Sequence, residues 1–489
     1  MRDLSGESET GTGFRIETDG LGEVAVPLDA LHGPETQRAL ENFSFSGDTM
    51  PPRLVRTLLE MKAVAASVNA KLGQLDPDTA SAIGAACREL LGDPRFMRHF
   101  PVDVFQTSSG TSTHMNVNEV LARLATRTLG RTVDAHDDVN RGQSSNDVMP
   151  TAIQASAALA VTRDLLPALR HLGDCITEKG RSLSGAVKLG RTHLMDAMPV
   201  RFDQVLSGWA YQVDVDAERI ERCRDDLLHV PIGGTAVGTG VNAHPAFAVE
   251  FCEAFSRATG LEFRAGASAF ALMGGQDAAV AMSGQLRTAA VTLTKIANDL
   301  RWMSSGPIGG LDEIELDALQ PGSSIMPGKV NPVIPEAVAM VSAQVAGNDL
   351  AVALAGQSGN FELNVMLPLI ARNLLESVEL LAAASNGLAD KAIRGLRVRE
   401  HRLRDLASRS PMLATALTPL VGHRAAATIA RQSWEQQRPV LDVATELTAV
   451  PRAQLERMLD PLQLTQSRDV FAPAGKLLQP SGDPRSDRE

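Results

Sequence analysis

Residues 285–303 read QLRTAAVTLTKIANDLRWM, in which Leu286, Ala290, Leu293, Ala297 and Leu300 recur at alternating spacings of four and three, with Met303 continuing the series. Apolar residues at that period line the seam of a helix gripped by neighbours in a bundle. Two more long helices, both rich in alanine, are predicted over about 151–182 and 336–357. The composition agrees: 44% of residues are hydrophobic but only 4% are aromatic, so Ala, Leu and Val fill the core. Such a core favours close-packed helices over a sheet rich in aromatic and β-branched residues. The run VAMVSAQVAGNDLAVALAG is small and apolar on most faces. It predicts a helix buried all round, in which Asn348 and Asp349 need partners. Helices so long and apolar exceed what one subunit can cover, so an oligomer with a core of bundled helices is expected.

At 489 residues the chain is too long for one ordinary core, and two or three domains follow. FRIETDGLGEVAVP, residues 14–27, alternates around Asp19-Gly20 and predicts a small hairpin. The net charge of −11 argues against nucleic acid or an anionic membrane as the main partner, but not against a small anionic substrate. Cys87, Cys175, Cys223 and Cys252 are scattered without a CxxC pairing, as expected of isolated buried thiols in a reducing compartment. The first residues, MRDLSGESETG, lack the apolar core of a signal peptide, and no uninterrupted apolar stretch reaches bilayer-spanning length. A soluble, cytoplasmic protein is expected, with a disordered tail at LLQPSGDPRSDRE. No HExxH and no clustered Cys/His set is present, so neither a metal nor another cofactor is implied.

Four polar islands interrupt the helical background: SSGTSTHMNVNE (108–119), QSSNDVMPT (143–151), GRTHLMDAMP (190–199) and PGSSIMPGKVNP (321–332). Each is expected where a long helix begins or ends. Exposed helix N-termini offer free N–H groups and a positive dipole end, which attract anions. Hydroxyls and amides there complete a cradle for carboxylates, and Lys329 adds a full positive charge. The residue types fit a small, doubly negative, oxygen-rich substrate. GGTAVGTGVN, residues 233–242, could pass for a nucleotide loop, but no strand is expected before it and that reading is discounted.

GSSIMPGKVNP resembles, almost letter for letter, the signature loop of the fumarase/aspartase superfamily, and in particular its class II fumarases. The other three islands and GGTAVGTGVN are similar to further shared segments in the same order, from about residue 14 to about residue 460. The resemblance implies an all-α fold: a three-domain subunit with a central long-helix bundle and a tetrameric helical core. Its boundaries would be an N-terminal domain over 1–142 with the hairpin, the bundle over 143–400 and a small helical domain over 401–489. A homotetramer whose active sites are each shared by three chains is implied, with a small dicarboxylate (fumarate, malate) as substrate. No nucleic acid, membrane, metal or other cofactor belongs to that picture.

The implied reaction is trans elimination from a succinate skeleton, or the reverse addition. Removing a weakly acidic C–H proton beside a carboxylate gathers negative charge on that carboxylate, so donors aimed there lower the barrier. By the resemblance Ser323 is the base. A serine needs its alkoxide stabilised, and a glycine-rich loop can aim N–H groups at the oxygen. Lys329 and Asn331 would bind the charge-gathering carboxylate, while the loop's prolines restrict it and its glycines let it close over substrate. His193 matches the histidine that handles the leaving group or activates water, and Glu336 the acid that orients it. Thr111, Ser144, Ser145, Asn146, Thr192 and Ser109 carry over as substrate-binding donors. Helix capping is the plainer role for such residues, and both can hold at once.

QSSND and SGNFELNVM look like fumarases, whereas aspartases more often show QSTND, so hydration of fumarate to malate is favoured. An ammonia-lyase acting on aspartate or another substituted succinate, and a silent structural relative, are the alternatives. Three departures stand out: His114 where fumarases usually carry Asn, Ser108 for a usual glycine, and Asp134-Ala135-His136-Asp137 in place of HPND. The secondary dicarboxylate site that the last run forms in some fumarases is therefore not carried over. His114, three residues past Thr111, is expected either to face the substrate or to be a surface or capping histidine.

Overall fold

The apolar seam is buried as its period requires. In the computed structural model, which describes residues 13–466, it lies on the helix Asp277–Met303, where Leu286, Ala290, Leu293, Ala297 and Leu300 are 0–1% exposed. The architecture is all-α, and β-structure among the described residues is confined to two-stranded pairs and an isolated bridge between Thr49 and Asp103. The hairpin Phe14–Asp19/Gly22–Pro27 forms as expected, with Asp19 opposite Gly22. The long helix expected over 151–182 starts earlier, as Ser145–Ala160, passes through a π-turn at Val161–Leu165, and continues as Leu166–Ser182. The tail expected to be disordered lies outside the described residues.

The chain divides into two compact units. One comprises the described residues up to Pro167, Glu218–Ala290 and Ala343–Ala382. Its helices Pro52–Lys71, Pro77–Gly92 and Thr111–Leu129 pack on one another through Leu54, Leu58, Ile83 and Leu121, all fully buried. The other comprises Ala168–Ala217, Val291–Ser342 and the described residues from Ala383 onward. Within it the C-terminal helices enclose a core of Leu413, Leu417, Ile429, Val440, Val443 and Leu455.

Two expectations are corrected. The island GRTHLMDAMP is not a helix end. It forms the antiparallel hairpin Val187–Thr192/Met195–Arg201, whose β-branched residues and Pro199 suit extended backbone better than helix. The helix Val333–Gly356 has the length and mean hydropathy, 1.4, of a membrane span, but Glu336, Gln344, Asn348 and Asp349 interrupt its apolar run. It is not buried all round, contrary to expectation. Val338, Val345, Val352 and Ala355 are buried, whereas Met340, Leu350 and Leu354 are 52–69% exposed. Asn348 finds the partners it needs: its amide donates to Glu376 at 3.0 Å and Ser377 at 3.1 Å and accepts from Gln344 at 2.8 Å. Asp349 pairs with Arg287 at 2.8 Å.

The 187–201 hairpin is anchored by one fully buried carboxylate. Glu313 pairs with Arg191 at 2.8 Å and Lys188 at 3.4 Å, while its backbone bonds to Met303 and Arg399. Removing one partner of a buried ion pair strands the other charge, at a cost of about 3–5 kcal/mol. Glu313→Ala is accordingly expected to lower the urea unfolding midpoint clearly, and more than Glu315→Ala, whose exposed carboxylate contributes little. Equal midpoints for the two variants would contradict this anchoring role.

Candidate active site

In the first unit the islands 108–119 and 143–151 meet around a cavity of about 670 Å³, lined among others by Thr111, Ser144, Ser145, Asn146 and Gln143. Gly110 opens the helix Thr111–Leu129 with a left-handed φ of 74°, and a side chain there would strike Met149. The N–H groups of this helix end are partly spent already. Ser112 donates to the Thr107 hydroxyl at 3.0 Å and Thr113 to the Gln106 side chain at 2.8 Å. Ser109 does not line the cavity but bonds Thr111, hydroxyl to hydroxyl, at 2.7 Å. Ser144 caps the next helix in a capping box with Asp147, so its capping and substrate-facing roles coexist.

Behind this wall lies a buried ionic layer that the sequence reading missed. Asp147, fully buried, accepts from the Ser144 N–H at 2.9 Å, Gly233 at 2.8 Å and Thr235 at 3.0 Å. Burial pushes its carboxyl up to about 6, against the pull of those bonds and of Lys62. The glycine-rich loop 233–242 thus spends N–H groups on a carboxylate of its own chain. A two-residue strand, His229–Val230, does precede it, contrary to expectation. Lys62, 1% exposed, donates to Asn140 at 3.1 Å and Gln143 at 2.9 Å, and burial pushes its ammonium down to about 7. The signal for Lys62 was faint: a lone lysine at the spacing of the apolar face Leu58, Leu59, Ala65.

His114 is neither a surface histidine nor a cavity-facing one. It is fully buried and outside the cavity lining, with Nδ1 2.9 Å from Ser145 Oγ. Burial, reinforced by the Lys62 and His136 charges, lowers its pKa well below the ordinary histidine value, so the imidazole is neutral.

In the second unit a cavity of about 730 Å³ gathers Lys329, Asn331 and Glu336. The loop 321–332 closes on itself: Gly322 donates to the Lys329 carbonyl at 2.8 Å and the Asn331 amide to the Gly322 carbonyl at 2.7 Å. A Cβ on Gly322 would collide with that Lys329 carbonyl, and Gly328 holds φ 78°, so both positions require glycine. Ser323 does not line this cavity. Its hydroxyl oxygen accepts two backbone N–H bonds, from Ile325 at 3.1 Å and Met326 at 3.0 Å. Two N–H groups converging on one oxygen favour negative charge there. The Lys329 ammonium makes no hydrogen bond or ion pair among the described residues and is exposed.

His193 and Leu194 form the two-residue turn between the strands of the 187–201 hairpin, with Thr192 paired to Met195. Both adopt left-handed φ values, 56° and 61°, and both are exposed. Non-glycine residues there cost roughly 1–2 kcal/mol each, a strain that clusters at functional sites. Within one chain His193 and Glu336 make no hydrogen bond to each other.

Folding also gathers donors that no sequence motif announced. His171, Cys175 and Asp390 place metal-type ligand atoms within 4.8 Å of one another, qualifying the expectation of no clustered set. The Arg394 guanidinium stands 3.1 Å from Asp390 and 3.8 Å from the Cys175 sulfur, and a cation would have to compete with it.

The lyase family model matches residues 22–347, and the fumarase C C-terminus model matches residues 413–466. Fumarate hydratase class II 2 of Pseudomonas aeruginosa is 59% identical over 93% of the chain and 99% of its own length. Fumarate hydratase class II of Mycobacterium tuberculosis is 47% identical over 94% and 96%. The crystal structure of class II fumarase from Schistosoma mansoni superposes with a TM-score of 0.89 at 37% identity, covering 92% of this chain and 98% of that one.

The buried ammonium has a pH signature. Unfolded, Lys62 titrates near 10.4; folded, it titrates at about 7. Between these values the unfolded state binds more protons, so this residue makes stability rise as pH climbs from 7 to 10. The urea midpoint of the wild type should climb more steeply over that window than that of Lys62→Met. Parallel curves would show that the ammonium is not held depressed.

Proposed function

Because the chain belongs to the class II fumarate hydratases of the lyase family, we propose that it catalyses the reversible hydration of fumarate to L-malate. The enzyme is a carbon–oxygen lyase acting on a small dicarboxylate. The observation that best supports the chemistry is the Ser323 oxygen with two backbone N–H groups aimed at it. In the direction from malate to fumarate the Ser323 alkoxide takes the proton from the carbon beside one carboxylate. The electron pair moves onto that carboxylate, where Lys329 and Asn331 meet it. It then returns to form the double bond as hydroxide leaves the neighbouring carbon, protonated to water with His193 handling the transfer and Glu336 orienting it. Ser109, Thr111, Thr192, Ser144, Ser145 and Asn146 hold the substrate. Hydroxyl and amide donors in the first-unit cavity suit carboxylate oxygens.

The working form is a homotetramer with each active site shared by three chains, built from three-domain subunits divided near residues 142 and 400. Three features support this reading. His193 and Glu336 do not meet within one chain, the helix Val333–Gly356 leaves an apolar face open, and the C-terminal helices carry a core of their own. The four cysteines are unpaired, which supports a reducing, cytoplasmic location. The ammonia-lyase alternative has no comparable support, since the named relatives are hydratases.

Purified protein mixed with L-malate should generate the ultraviolet absorbance of fumarate, and L-aspartate should not. Ser323→Ala should lower kcat by about 10²–10⁴-fold, the range for removing a positioned base, with unchanged gel-filtration behaviour. Aspartate turnover, or full activity of the variant, would refute the proposal.

A further inference from the structure

We propose that His114 is a positioning residue for this reaction: as the Nδ1–H tautomer it donates to Ser145 Oγ and leaves the Ser145 proton free for a substrate carboxylate. The proposal rests on reading the first-unit cavity as a carboxylate cradle. Thr111 and His114 lie one helical turn apart, Thr111 on the cavity wall and His114 one layer behind it, fully buried. Ser145 begins the facing helix and belongs to the wall. Its oxygen sits 2.9 Å from His114 Nδ1, while His114 Nε2 is buried with no hydrogen-bond partner.

The hydroxyl has one proton, so the two tautomers have opposite consequences. If Ser145 gives its proton to Nδ1, it shows the cavity only lone pairs, which repel a carboxylate. Nε2–H then becomes a buried donor without an acceptor, a rare arrangement. If Nδ1 carries the proton, Ser145 accepts from behind and donates forward, and Nε2 is a bare nitrogen. The second arrangement alone makes the wall attractive to an anion, and we assign the tautomer from this network. The imidazole then fixes the direction of a hydroxyl that would otherwise be free to turn toward a backbone carbonyl.

The chemistry of the partner suggests the variants. A carboxamide Nδ2–H can donate from nearly the position of Nδ1–H, so His114→Asn should keep Ser145 oriented. His114→Leu fills the space without a donor, and Ser145→Ala removes the oriented group. Steady-state kinetics in both directions, with succinate as a competitive inhibitor that binds without reacting, read the effect. His114→Leu and Ser145→Ala should each raise KM and the succinate inhibition constant about tenfold, the value of one hydrogen bond to a charged group, with kcat within about threefold. The double variant should be no worse than either single, because both remove the same interaction. His114→Asn should recover most of the loss.

The proposal is overturned if His114→Leu binds succinate as the wild type does, if the double variant loses about a hundredfold, or if His114→Asn is no better than His114→Leu. Should His114→Leu not fold, Ser145→Ala against His114→Asn still decides. A tenfold loss in the first and near-wild-type binding in the second is expected, and comparable losses would sink the idea. A wild-type enzyme inactive on both malate and fumarate would instead overturn the functional reading beneath it.

Discussion

One carboxylate holds the first-unit cavity together. Asp147 is fully buried yet ties two segments together through three bonds: its own helix start at Ser144, and the glycine loop at Gly233 and Thr235. Lys62 lies close enough to act on it electrostatically, and the Lys62 ammonium fixes Asn140 and Gln143. Buried charges of this kind are costly, and apolar side chains of similar volume often give equal or greater stability. Their retention here makes sense as geometry. A wall whose amides and hydroxyls are already bonded from behind needs little rearrangement when an anion arrives, which is the condition for electrostatic stabilisation to lower a barrier.

In the second unit the loop 321–332 is held by backbone geometry and hydrogen bonds rather than by charge. Gly322 lets two strands of the loop 321–332 approach so closely that no side chain fits between them, and Gly328 takes a backbone angle that other residues avoid. The result is a small ring that presents the Ser323 oxygen to two N–H groups. Serine ionises with difficulty in water, and such a ring offsets part of that difficulty before substrate binds.

The helices were legible in the sequence wherever one face was apolar at a fixed period. The seam from Leu286 to Met303 is the clear case, because burial on one face leaves a repeating trace. The loop 321–332 was legible by composition and by resemblance. The hairpin at 187–201 was not, since its polar tip hides the extended pairing on either side. The burial of Lys62 and His114 was barely legible, for a different reason. Whether a single polar residue on a helix is buried depends on what packs against it from distant sequence, here Asn140 and Gln143 for one and Ser145 for the other. Apolar composition alone does not say which neighbour covers a helix face, and Val333–Gly356 keeps one face open at Met340, Leu350 and Leu354.

The left-handed turn at His193–Leu194 carries a consequence for how this chain could evolve. Glycine adopts that backbone freely, so replacing Leu194 would relax the turn and tend to raise heat resistance. The same change would let the histidine beside it wander. With His193 in its proposed role, selection that scores only survival at high temperature would find this position readily and erode turnover in doing so. The strained dipeptide marks a place where durability and aim are traded against each other.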